Sequence, residues 1–248
     1  MSLGGVTATL SENCRQLIEL QRGVLARWQV SAVGPDRTTL KSRLQSGRWH
    51  PVYRGVYATF TGDPPRESAL WAAVLRAGPG AVLSHETAAE LDGLARERSA
   101  VIHVTVPAVK RVNPVPGLRV HRSLRPDEAR HPARMPPRTR IEETVLDLAQ
   151  AARTFDVAFG WLCQACGSRR TTPDRLLAAM YLRAKLRWRD IQRDNAPAAD
   201  GILTLRYGWA DVTRWPCRTA EQIATALRLR GWTGVPTPCG PNCPLGGA

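Results

Sequence analysis

Apolar residues recur at helical spacing through the first part of the chain, and two glycine-containing breaks cut the pattern into three short pieces. Leu10, Cys14, Leu17 and Ile18 form one stripe and predict a helix from Leu10 to Gln21, closed by Arg22-Gly23. Leu25, Trp28 and Ala32 predict a second helix over Leu25 to Val33, stopped at Gly34-Pro35. Leu40 and Leu44 lie four apart and predict a third from Asp36 to Ser46, ended by Gly47. The period then changes. Arg48 to Tyr53 and Gly55 to Phe60 read as two strands turning at Arg54-Gly55.

Three short helices followed by a two-stranded ribbon predict a winged helix-turn-helix. At 3.6 residues per turn, the face of the third helix opposite Leu40 and Leu44 carries Thr38, Lys41, Ser42 and Gln45, with Arg37 and Arg43 on the flanks. Short polar groups suit base edges in a major groove, and cations suit phosphates. The candidate DNA-binding residues are therefore Arg37, Thr38, Lys41, Ser42 and Gln45 on the helix, with Arg48 and Arg54 on the ribbon.

Beyond the turn formers Thr61 to Pro65, Glu67 to Ala77 and Leu83 to Leu94 read as helices, the second with Ser84 as its cap. In the run 101–106 Ile102, Val104 and Val106 share one face, and Leu118 to His121 alternates too. The two runs predict a β-hairpin with Lys110-Arg111 near its tip. Thr139-x-x-Glu142 is spaced as a capping box for a helix with Ile141, Val145 and Leu148 inward. Two further helices follow over Phe155 to Cys166 and Thr172 to Ala184, then a polar helix and a strand from Ile202 to Tyr207. Thr219-x-x-Gln222 is spaced to cap a last helix, which ends at Gly231. The expected domains are 1–62, 63–152, a helical connector 153–185, a small unit 186–234 and a tail 235–248.

Charge sharpens this picture. Lys and Arg total 35 against 21 acids, a net charge of +14, and the only lysines are Lys41, Lys110 and Lys185. A polyanion such as double-stranded DNA is the partner this balance favours. The first residues lack a cationic start followed by an apolar run, and no stretch is long and apolar enough to cross a bilayer. A cytoplasmic protein with no membrane partner is expected, its six cysteines held as thiols.

A basic winged helix followed in order by LSHETAAELDGL, IHVTVP, LRVHRS and RTRIEETVLDLA resembles the actinobacterial branch of the AbiEi-type antitoxin family of type IV toxin–antitoxin systems. The resemblance spans Leu10 to Arg189, nearly three quarters of the chain, and rests on the order of these motifs rather than on any one. It implies an operator-binding N-terminal domain, a mixed α/β middle domain, and a cognate toxin protein as partner. Leu186 to Val212 resembles the end of a very-short-patch-repair-like endonuclease domain, which commonly follows in this branch. That resemblance places Asp190, Arg193, Asp194 and Asn195 on a helix after the catalytic core, with Leu203 to Tyr207 and Trp209 on a strand.

The carboxylate pair that would hold Mg²⁺ in such a nuclease has no counterpart, because after Glu143 the only glutamate is Glu221 and the aspartates are scattered. The expected fold is thus α+β: a winged helix-turn-helix, a mixed middle domain, and a helix–strand–helix remnant of a restriction-endonuclease-like fold. The expected function is a non-catalytic, DNA-binding, antitoxin-like transcriptional regulator, the alternative being a very-short-patch-repair-like endonuclease, catalytic or degenerate. Cys163-x-x-Cys166 and Cys239-x-x-x-Cys243, with Cys217, have the count of a zinc site. The first pair falls inside a helical pattern far along the chain from the second, so ordinary thiols are expected. His50, His85, His103, His121 and His131 contain no i, i+4 ligand pair. Ser84 and His85 have the residue types of a nucleophile and its base, but neighbours on a helix face different ways. No catalytic residue, metal ligand or cofactor is expected.

Overall fold

The structure is a computed structural model, and it describes residues 10–33, 37–195, 205, 207, 209–240, 243 and 245. The chain forms two units, Met1–Leu176 and Leu177–Ala248. Helices and two small sheets alternate, so the fold is α+β.

The first unit opens with α1 (Glu12–Leu20), β1 (Val24–Ala26), α2 (Arg27–Val33), α3 (Arg37–Gln45), β2 (His50–Tyr53) and β3 (Val56–Ala58). Ser11 Oγ caps α1 by accepting from the Cys14 N–H. The helix expected from Leu25 starts later, because Val24-Leu25-Ala26 is a strand buried at every position. Three apolar residues in a row suit a strand covered on both faces. Val24 and Ala26 pack with Trp71, Ala72 and Leu75 of a later helix, whereas Leu25 packs with Cys14, Val30 and Trp49. β1 pairs antiparallel with β3, which pairs with β2 on its other side. At the start of α2, Gln29 Oε1 accepts from the Ala26 N–H at 2.9 Å, the back-reaching half of a capping box. That register buries Gln29 and Val30 and leaves Trp28 and Ala32 exposed, correcting the face expected for this helix. Gly23 needs its glycine: φ is +83°, and a Cβ there would stand 2.6 Å from the Phe60 ring.

α4 (Arg66–Ala77) has two apolar faces. Trp71, Ala72 and Leu75 pack on the first sheet, and Leu70, Ala73, Val74 and Ala77 pack on the second. The second sheet runs β4 (Val82–Leu83), β5 (Ile102–Pro107) and β6 (Leu118–Ser123), in that order across the sheet. β4 and β5 are antiparallel, but β5 and β6 are parallel, with Ile102 opposite Leu118 and Pro107 opposite Ser123. The expected hairpin is therefore wrong. Residues 108–117 run back along the sheet, and the Ile102 N–H donates to the Gly117 carbonyl where the loop re-enters it.

α5 (His85–Leu91) covers the other side of β5, so His103 and Thr105 are buried as well as their apolar neighbours. α6 (Pro126–Ala129), α7 (Ile141–Ala151) and α8 (Phe155–Gly167) complete the unit. Ala89, Leu94, Val145, Leu148, Ala165 and Leu176 form its third cluster. The Thr139–Glu142 capping box does not form. α7 starts after Arg140, Thr139 Oγ1 bonds Thr144 Oγ1 at 2.6 Å, and Glu142 Oε1 accepts from Thr171 Oγ1 at 2.7 Å.

α9 (Pro173–Asn195) is one continuous helix where two were expected, and it carries the chain into the second unit. Thr172 Oγ1 accepts from the Arg175 N–H and so caps α9. α10 (Trp209–Arg214) places Trp209 on a helix and not on a strand. α11 (Pro216–Arg228) begins before Thr219, whose hydroxyl donates to the Asp211 carbonyl of α10 and does not cap α11. The strand expected over Ile202 to Tyr207 lies outside the described residues except for Leu205 and Tyr207. The side chains of Asp190, Arg193, Asp194 and Asn195 also lie outside them. Among the described residues, no helix is long and apolar enough to cross a membrane.

Candidate functional site

Two features of the first unit combine exposure or chemistry beyond what packing requires. The first is the outer face of α3. Leu40 and Leu44 turn inward and pack with Cys14, Leu25, Val30 and Trp49. Thr38, Lys41, Ser42 and Gln45 are exposed, as the helical period requires for residues on the opposite side. Arg43 is half-buried, its guanidinium 5.5 Å from the centre of the Trp49 ring, so it braces the helix against the residue that leads into β2. Gly47, at φ +68°, turns the chain out of α3, and exposed Arg48 follows it. Arg54 is exposed at the β2–β3 turn, where Gly55 takes φ +82°. Arg37 stands at the first turn of α3, and its side chain lies outside the described residues.

The second feature was not expected. At the corner between β4 and α5, Ser84 is extended and His85 takes φ +50°, a left-handed conformation that costs a non-glycine residue about 1–3 kcal/mol. That corner brings the Ser84 Oγ and His85 Nδ1 to 3.0 Å, although adjacent residues on a regular helix could not meet. Thr105 Oγ1 donates to the same Ser84 Oγ at 2.8 Å. Ser84 is sealed from solvent, so it holds His85 in place and presents no nucleophile to a substrate.

Parallel pairing of β5 and β6 sets His121 opposite Thr105, two residues from His103 on one face of the sheet. His103 Nδ1 and His121 Nε2 stand 3.0 Å apart, and the His85 ring stacks on His121 with centroids 3.7 Å apart. Glu86 Oε2 lies 3.1 Å from His103 Nδ1. Burial lowers the pKa of His103, partly offset by the Glu86 charge. Burial, helped by His103, pushes His121 down to about 4. Both imidazoles are neutral at neutral pH.

This centre predicts an acid-sensitive fold. In chelator-treated protein the unfolded chain takes up a proton at His121 near its ordinary value of 6.5, and the folded protein does so only near 4. Stability conferred by the neutral ring is thus full above about pH 6.5 and is lost as pH falls toward about 4. Urea midpoints measured across that window should drop, and His121→Gln should flatten the drop. A wild-type profile no steeper than that of the variant would show that the ring is not held neutral.

The second unit holds a thiol cluster. Cys217 and Cys239 Sγ stand 3.1 Å apart, and Cys243 Sγ lies 3.4 Å from Cys217. Hydrogen bonding of its neutral thiol with Cys239 and then Cys243 pushes Cys217 up to about 12, and backbone hydrogen bonds bring Cys243 down to about 7. The grouping of Cys217 with Cys239 and Cys243 follows the count noted in the sequence, while Cys163 and Cys166 lie on α8 in the other unit.

No family model and no curated protein matches the chain.

Proposed function

We propose that the chain is a DNA-binding, antitoxin-like transcriptional regulator that acts without catalysis, its first 62 residues serving as a winged helix-turn-helix. The observation that carries this reading is the polar face of α3. Thr38, Lys41, Ser42 and Gln45 stand out to solvent in one row while Leu40 and Leu44 anchor the helix from behind. A helix held rigidly by one face and lined with short polar groups on the other suits entry into a major groove. The β2–β3 turn, with Arg54 at its tip, is the wing, and Arg48 and Arg54 meet phosphates. The net charge of +14 supplies attraction independent of sequence. The middle region faces a cognate toxin, a role that rests on the motif resemblance alone.

The test is a set of titrations on a duplex selected from a random library and on its scrambled counterpart, at several salt concentrations. If about five phosphates are neutralised, log K falls with log[salt] at a slope of roughly −4 to −5. Gln45→Ala costs about 1–3 kcal/mol on the selected duplex and little on the scrambled one. Arg54→Ala weakens both equally and lowers the slope by about one. Binding that is flat in salt sinks the electrostatic part of the proposal. Equal loss on both duplexes for Gln45→Ala means that α3 does not read sequence.

A further inference from the structure

We propose that His85, Glu86, His103 and His121 form a binding site for a divalent first-row transition metal ion, Zn²⁺ being the best fit. The site goes beyond the DNA-binding reading and stands on separate residues. One ring nitrogen from each of the three histidines lies within 4.8 Å of the others. Around His103 Nδ1 the spacing is tighter: His121 Nε2 stands at 3.0 Å and Glu86 Oε2 at 3.1 Å. A tetrahedral ion with arms of about 2.0–2.1 Å has ligand atoms about 3.3 Å apart, so these spacings lie within a few tenths of an ångström of a ligand set. The near-parallel rings of His85, His103 and His121 would have to tilt for their nitrogens to converge on the ion.

Two further observations separate this group from a histidine pair that merely satisfies itself. Glu86 Oε2 is shut off from solvent and, among the described residues, accepts no hydrogen bond, although it lies beside His103 Nδ1. A buried carboxylate oxygen without a donor is costly, and a cation removes that cost. The strained turn at His85 is the second. Its positive φ is what sets this imidazole over His121, and the Ser84 hydroxyl bonds its Nδ1 as an outer partner that fixes the ring. An all-imidazole and carboxylate set with no thiolate suits Zn²⁺ and its neighbours in the first transition row over Mg²⁺ or Ca²⁺.

The experiment uses full-length protein carrying Cys217→Ser, Cys239→Ser and Cys243→Ser, so that the thiol cluster contributes nothing. After chelator treatment and dialysis it is titrated with Co²⁺, whose visible absorption reports coordination number, and bound Co²⁺ is then displaced by Zn²⁺. The expected result is one equivalent bound with the intense bands of a four- or five-coordinate ion. His103→Gln and His121→Gln should each weaken binding by more than about 100-fold, beyond the 10–100-fold typical of losing an outer partner. Far-ultraviolet circular dichroism checks that these variants fold. Glu86→Gln, whose side chain is 43% exposed, tests the same site with little risk to the fold, and it should also weaken binding. His131→Gln, outside the group, should leave the titration unchanged. No uptake of Co²⁺, uptake with only the weak bands of a fully hydrated ion, or uptake that survives His103→Gln, His121→Gln and Glu86→Gln would each overturn the site.

Discussion

Trp71→Ala should destabilise the first unit by about 3–5 kcal/mol, the cost of emptying a large aromatic site that its surroundings cannot fill. The indole is only 5% exposed. It fills the space between α4 and the first sheet, among Val24, Ala26, Val56 and Ala58, all of them small. None of these side chains can reach across the gap that an alanine leaves. Trp28→Ala is the control, since that ring is 49% exposed on the outer side of α2, and its loss should stay within about 0.5 kcal/mol. Urea unfolding of both variants decides the matter. A cost below about 1 kcal/mol for Trp71→Ala would mean that α4 does not form the floor of the first sheet.

The sequence made legible those parts of the fold whose pattern is local. Leu40 and Leu44 are four apart, so their burial and the exposure of Thr38, Lys41, Ser42 and Gln45 follow from the helical period alone. Gly47 and Gly55 mark turns because their positive φ suits glycine. What stayed hidden depends on long-range pairing. Val24-Leu25-Ala26 has the composition of a helix start, and only its partner β3, more than thirty residues later, makes it a strand. Two alternating runs separated by ten residues are as compatible with a hairpin as with a parallel pair, and spacing cannot decide between them.

The histidine centre was missed for the same reason. Each imidazole belongs to a different element, and the search for ligands at i, i+4 presumes that they share one helix. The parallel register is what aligns His121 with Thr105 and thus near His103. A weak signal was present nonetheless: a histidine recurs in SHET, IHVT and VHRS, once in each element of the second sheet or its corner. Ser84 and His85 show how backbone conformation overrides a spacing rule. Regular helical geometry forbids their contact, and a single positive φ permits it.

The corner that presents His85 is held from behind by a buried ion pair, and breaking it should have the second large effect. Arg138 Nε donates to Asp92 Oδ1 at 2.8 Å, with side chains 7% and 15% exposed. Asp92 ends α5, and the segment carrying Arg138 is laid along β4: the Leu83 N–H donates to the Pro137 carbonyl and the Thr139 N–H to the Leu83 carbonyl. The pair therefore ties both ends of the strained turn to one edge of the second sheet. Asp92→Ala leaves the guanidinium buried without its partner and should cost about 3–5 kcal/mol. Replacing both partners, as in Asp92→Ala with Arg138→Leu, removes the stranded charge and should lie closer to the wild type than Asp92→Ala does. Amide exchange at Leu83 and Thr139 should quicken in the single variant and slow again in the double one. If the double variant is no more stable than Asp92→Ala, the cost comes from lost packing at the sheet edge and not from an unpaired charge.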